Sequence, residues 1–193
     1  MRETNMLVIM ADQHNPKMLG CNGHELVKTP NLDRLANQGV NFKSAYTNSP
    51  ICVPARACFA TGRYVHDTGC WDNAFAYEGK QPSWGHRLQD NGNSVVSIGK
   101  LHYRSEEYDT GFDEQIIPMH ITNGVGDVHG AIRPELAVRY QARQYVEQVG
   151  PGDTNYAEYD RDITRRACDW LLEKGKTTTE KPWVLFVSLV HPH

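Results

Sequence analysis

No apolar run in this chain of 193 residues is long enough to cross a bilayer. The longest, Val184 to Val190, is interrupted by Ser188 and falls far short of the ~20 residues that a membrane helix needs. Nor does the amino terminus build a secretory leader, because the apolar stretch from Met6 is short and ends at Asp12. An excess of charge of one sign is also lacking. The net charge is −3 and the lysines and arginines are scattered, so no basic stripe argues for nucleic acid and nothing argues for a membrane surface. Cysteine is sparse: Cys21, Cys52, Cys58, Cys70 and Cys168 are an odd number in no regular framework, which points to reduced thiols. There is no internal repeat and no low-complexity tract. A cytoplasmic location follows, or a periplasmic or secreted one if a leader has been removed.

What is present is the alternation of an α/β domain. The chain is 39% hydrophobic, enough for one core and one domain. Strands are expected at Met6 to Ala11, Val40 to Tyr46, Ser94 to Ile98 and Trp183 to Val190. Between them, Thr29 reads as the N-cap of a helix over Pro30 to Gln38, and Ser83 as the cap of one ending near Gly92. A further helix is expected over Glu135 to Val149. Ile163, Ala167, Trp170 and Leu171 form the apolar stripe of another from about Ala157 to Gly175. Pro118 to Pro134 reads as an irregular loop. Strands separated by helices indicate a mostly parallel central sheet flanked by helices. The final apolar strand is followed by only three residues, so residues 1–193 are read as the N-terminal portion of a larger catalytic domain.

The most informative stretch runs from Cys52 through Pro54 and Arg56 to Gly62. Pro54 suits the first turn of a helix and Gly62 its left-handed cap. Cys52 is therefore expected just before a helix N-terminus, where unpaired N–H groups favour negative charge on its sulfur or on a bound oxyanion. Arg56, one helical turn on, can hold that oxyanion or the reactive group.

Cys-x-Pro-x-Arg with a glycine six residues later resembles the signature of the type I sulfatases. Other landmarks of that family occur in order. Met6 to Gln13 resembles its first strand and metal-binding acid, Thr29 to Ala36 its first helix, Gly99-Lys100-Leu101-His102 its Gly-Lys-x-His element, and His191-Pro192-His193 its late Pro-His element. Asp12-Gln13, Asp72-Asn73-Ala74 and the closing His-Pro-His look most like the choline sulfatases.

The resemblance implies an alkaline-phosphatase-like sulfatase fold and hydrolysis of sulfate monoesters. Cys52 would be oxidised to 3-oxoalanine (formylglycine) by a maturation enzyme. A divalent cation, Ca²⁺ or else Mg²⁺ or Mn²⁺, would be held by Asp12, Gln13 and position 52. The other catalytic residues would be Arg56, Lys100, His102 and His193, with Asn73 and His191 as substrate contacts. Gln13 stands where many sulfatases carry a second Asp, and further metal ligands normally lie downstream of the residues in this chain. The chain alone is therefore expected to be inactive.

Strand ends support this convergence, because ligands in open α/β sheets bind beyond the carboxyl ends of the strands. Asp12-Gln13, Lys100 with His102, and His191 with His193 each follow an expected strand; in extended geometry Lys100 and His102 would point to one side. Each residue also has a plainer reading: Asp12 as a helix cap, Cys52 as an inert thiol, Arg56 and Lys100 as solvated charges, and His102, His191 and His193 as structural histidines, with a His-x-His pair also readable as half a zinc site. Asn73 reads equally as a turn residue. At the level of function, the alternatives are a phosphonate or phosphate ester hydrolase of the same superfamily, and an inert fragment. The alcohol portion of the substrate and the oligomeric state stay open.

Overall fold

Branched and apolar residues build four strands in a computed structural model that describes residues 4–126, 147, 149–176 and 181–192. They are β1 (Met6–Ala11), β2 (Ser94–Lys100), β3 (Glu114–Met119) and β4 (Trp183–Leu189). They form one parallel sheet in the order β1-β4-β2-β3. β4 takes a central place because its side chains suit burial on both faces: Val184, Leu185, Phe186 and Val187 are all buried.

The described helices are α1 (Pro30–Gln38), α2 (Cys52–Thr61), α3 (Val65–Thr68), α4 (Trp84–Asp90) and α5 (Asn155–Lys176). Alternation along β4 separates two cores. Phe186 packs with Ala57 and Ala60 of α2 and with Tyr77, Leu101 and Tyr103. Leu185 and Val187 face Ile163 and Ala167 of α5, with Val96 and Ile98 of β2. Ile163 is fully buried, a placement that contributes roughly 1.5–3 kcal/mol.

Several expectations need correction. Val40 to Tyr46 forms no strand. Its Val40, Phe42 and Tyr46 are exposed, while Asn41 and Lys43 donate to the Asn22 side chain, so side-chain bonds to a neighbouring turn replace strand pairing. β3 was not expected, and its Pro118 falls in what reads as a loop. The proline is tolerated because β3 lies at the edge of the sheet among the described residues, where a missing N–H breaks no ladder. Thr29 does not cap α1 with its side chain; its hydroxyl donates to Asp33 Oδ1 and accepts from Gly20 N–H. Ser83 does cap α4, within a reciprocal box with His86. α5 continues through Gly175 to Lys176. The expected helix over Glu135 to Val149 lies almost wholly outside the described residues.

Candidate active site

β1 ends at Ala11 and delivers Asp12; β2 ends at Lys100, two strands away across β4. Lys100 is aimed by a bulge. Gly99 has φ 100°, and a Cβ there would lie 2.3 Å from Ser188 O and 2.6 Å from Ile163 Cδ1, so only glycine fits. The third contributor is α2, which begins at Cys52 rather than after it, with Ile51 as N-cap. Gly62, at φ 67°, closes the helix by donating its N–H to Cys58 O.

These elements bring four side chains together. Lys100 Nζ donates to Asp12 Oδ2 at 2.7 Å and lies 3.9 Å from Cys52 Sγ. Arg56 Nη2 and Nε donate to Asp12 Oδ1 at 2.8 and 3.3 Å. The Cys52 thiol reaches Asp12 Oδ2 at 3.5 Å. Lys100 and Arg56 are buried, at 1% and 4% exposure. Among the described residues, Asp12, Arg56 and Lys100 together carry a charge of +1 while the thiol is neutral.

Burial alone would raise the Asp12 pKa, but hydrogen bonds from Lys100 and Arg56, with their charges, outweigh it and hold the carboxyl at about 2. Asp12 is therefore a fixed negative charge and a weak base. The Cys52 thiol shifts the other way. Burial pushes its pKa up, and the Asp12 charge and hydrogen bond add to this against the opposing pull of Lys100 and Arg56. Of the two expected seats of negative charge, the sulfur or a bound oxyanion, this shift disfavours the sulfur. The helix N-terminus gives little help, because Val53 N–H is taken by Asn73 Oδ1 at 3.1 Å, Ala55 N–H by Ile51 O, and Pro54 has no N–H.

Arg56 is more heavily engaged than its sequence position suggests. Besides Asp12 it donates through Nη1 to Lys100 O at 2.5 Å and to Ser188 Oγ at 2.9 Å. It thus ties α2 to the ends of three strands. Ser188 was missed by sequence reasoning; the signal was a lone hydroxyl inside the apolar run of β4, where a buried polar group needs a partner.

Asp12, Gln13, Cys52, Arg56 and Asn73 all line one cleft of about 1190 Å³. The remaining candidates are placed less directly. Asn73 caps α2 beside Cys52. His102 follows the end of β2 with φ 53°, so the extended geometry that would align it with Lys100 stops at Lys100. His191 pairs with Asp160 of α5 instead of with the Cys52 group. His193 lies outside the described residues. For a hard divalent cation the donors fit in kind, an Asp12 carboxylate and a Gln13 amide beside residue 52. They provide only part of the six to eight oxygens that Ca²⁺ takes. Among the described residues no group of three or more His, Cys, Asp or Glu side chains could hold a metal.

The sulfatase family profile matches residues 4–193. The chain belongs to the sulfatase family. A choline-sulfatase of Rhizobium meliloti (strain 1021) is 30% identical over 195 residues, 98% of this chain and 38% of that protein. The solved structure of BT4656 in complex with its substrate D-glucosamine-2-N,6-O-disulfate superposes with a TM-score of 0.71 at 26% identity, over 100% of this chain and 35% of that one. The phosphonate monoester hydrolase of Agrobacterium radiobacter shares the fold, with a TM-score of 0.65 at 21% identity over 98% of this chain and 41% of its own. The architecture is thus the alkaline-phosphatase-like sulfatase fold implied by the motifs, and the chain spans well under half the length of the proteins it matches. No described helix is long and apolar enough to cross a membrane.

Proposed function

We propose that this chain carries the nucleophile half of a sulfatase site that hydrolyses sulfate monoesters of small molecules. The observation that supports this most is the buried Asp12, Arg56 and Lys100 cluster around Cys52, with its surplus positive charge. A sulfate group arriving in the cleft would meet two buried cations offset by one carboxylate, and in a site shielded from water such fixed charges act strongly.

The neutral thiol at Cys52 is a poor nucleophile as it stands, which supports its conversion to 3-oxoalanine by a maturation enzyme. So converted, position 52 supplies a hydrated aldehyde, one hydroxyl displacing the alcohol from sulfur and the other allowing sulfate to leave as the aldehyde returns. Asp12 and Gln13 would hold part of the shell of a divalent cation, calcium by family resemblance, which would supply charge stabilisation to the sulfate oxygens. Lys100, within reach of both Asp12 and the tip of residue 52, would donate to an oxygen there and steady the developing charge. Arg56 would hold Asp12 and the Lys100 backbone in place while adding its own charge. His102 would accept a proton from position 52, His193 would protonate the departing alcohol, and His191 and Asn73 would contact substrate. A cytoplasmic location belongs to the same proposal.

Paired turnover of a sulfate monoester and a phosphonate monoester tests this in a protein of the relatives' length that carries these residues and is matured at position 52. Faster turnover of the sulfate ester is expected. Preference for the phosphonate would move the function to the neighbouring class of hydrolases. No turnover of either ester would sink both readings.

A further inference from the structure

We infer that Asp160 is a positioning residue that fixes both the backbone and the ring of His191 at the mouth of the sheet. Asp160 lies on α5 three residues before Ile163, at the end of the apolar stripe that faces β2 and β4. A carboxylate in such a place is costly unless its oxygens are satisfied, and here both are. Oδ1 accepts the N–H of Val190 at 2.7 Å; Oδ2 accepts the N–H of His191 at 2.8 Å and lies 3.1 Å from the Nδ1 atom of its ring. One side chain therefore anchors the first two residues beyond β4, the central strand whose neighbours carry Asp12 and Lys100.

The ring contact has a chemical consequence. A carboxylate oxygen can only accept, so the neutral imidazole must place its proton on Nδ1 and leave the Nε2 lone pair uncommitted to Asp160. His191 is 41% exposed at its side chain, and Tyr156 of the same helix packs edge-on to it with centroids 6.5 Å apart, limiting the ring's rotation. Nε2 then becomes the atom through which His191 accepts a hydrogen bond or a proton from whatever binds beyond β4. In metal and hydrolase sites generally, such a carboxylate behind a histidine sets which nitrogen works.

Catalytic use of this loop rests on the sulfatase reading; the tautomer does not, so the two can fail separately. Long-range proton–nitrogen correlation spectra of the 193-residue chain, with the imidazole nitrogens labelled, report which nitrogen of the neutral His191 ring carries the proton. The expected wild-type result is protonated Nδ1. Asp160→Asn exchanges one acceptor for an NH₂ donor and should release the ring to protonated Nε2, while circular dichroism stays native. A wild-type ring already protonated at Nε2, or an Asp160→Asn ring unchanged from wild type, would overturn the assignment. If Asp160→Asn does not fold, the wild-type tautomer alone decides.

Discussion

Replacing Asp12 by asparagine removes the carboxylate that pairs with two buried cations, Arg56 and Lys100, raising the charge of these three described residues from +1 to +2. The substituted amide could still accept from Arg56 through its oxygen, but its NH₂ group would face Lys100 Nζ, which now sits 2.7 Å from Asp12 Oδ2. Breaking a buried ion pair so that a charge is left uncompensated costs about 3–5 kcal/mol. Lys100→Met differs in sign: it leaves Asp12 with Arg56 as a balanced pair, so the loss is one charge-assisted hydrogen bond, roughly 1.5–3 kcal/mol. Urea unfolding at neutral pH should therefore rank Asp12→Asn as the less stable variant. Sulfate should invert the order, raising the melting temperature of Asp12→Asn more than wild type and that of Lys100→Met less. The acid limb gives a second check. The folded Asp12 pKa lies below its ordinary 3.8, at about 2, so its contribution is complete above the ordinary value and is lost as pH falls through 2. That difference corresponds to roughly 2 kcal/mol. Wild type should lose this amount relative to Asp12→Asn between about pH 4 and pH 2. If Asp12→Asn proves as stable as Lys100→Met, or sulfate protects both alike, the balance of these three charges does not govern the site.

Gly99→Ala should cost at least ~2 kcal/mol in the same unfolding assay, because its Cβ would meet Ser188 O in a backbone conformation that alanine resists; a near-neutral effect would show that the bulge is not required. Asn73→Ala removes the side-chain acceptor of Val53 N–H and should cost about 1 kcal/mol, accompanied by shifts in the amide signals of Cys52 and Val53. In a matured protein of the relatives' length, Arg56→Ala and Lys100→Ala should each lower kcat by at least ~10²-fold, the scale of losing one preorganised charge. Near-normal kcat in either variant would remove that residue from the mechanism.

The clustering of Asp12, Cys52, Arg56 and Lys100 in the candidate site was legible because these residues sit where local rules are strong. Asp12 follows β1 and Lys100 closes β2, and the parallel arrangement brings such strand ends together. Pro54 and Gly62 bracket α2 by their backbone preferences alone. The missed features depend on long-range partners. Val40 to Tyr46 has the composition of a strand but no strand beside it among the described residues, whereas β3 reads poorly yet pairs with β2. Ser188 stands out in sequence only as a lone hydroxyl in an apolar run and Asp160 not at all, and their partners emerge only once Arg56 and the loop after β4 arrive beside them. The Cys52 thiol is held neutral by burial and by Asp12, forty residues earlier, so its charge state could not be read from α2.

In the proposed function, position 52 acts only once its thiol has been oxidised. Peptide mass spectrometry of the chain produced together with a formylglycine-generating enzyme tests it most directly. The expected result is an aldehyde at Cys52 and intact thiols at Cys21, Cys58, Cys70 and Cys168. An unmodified thiol at Cys52 under those conditions, or an aldehyde at any other cysteine, would contradict it.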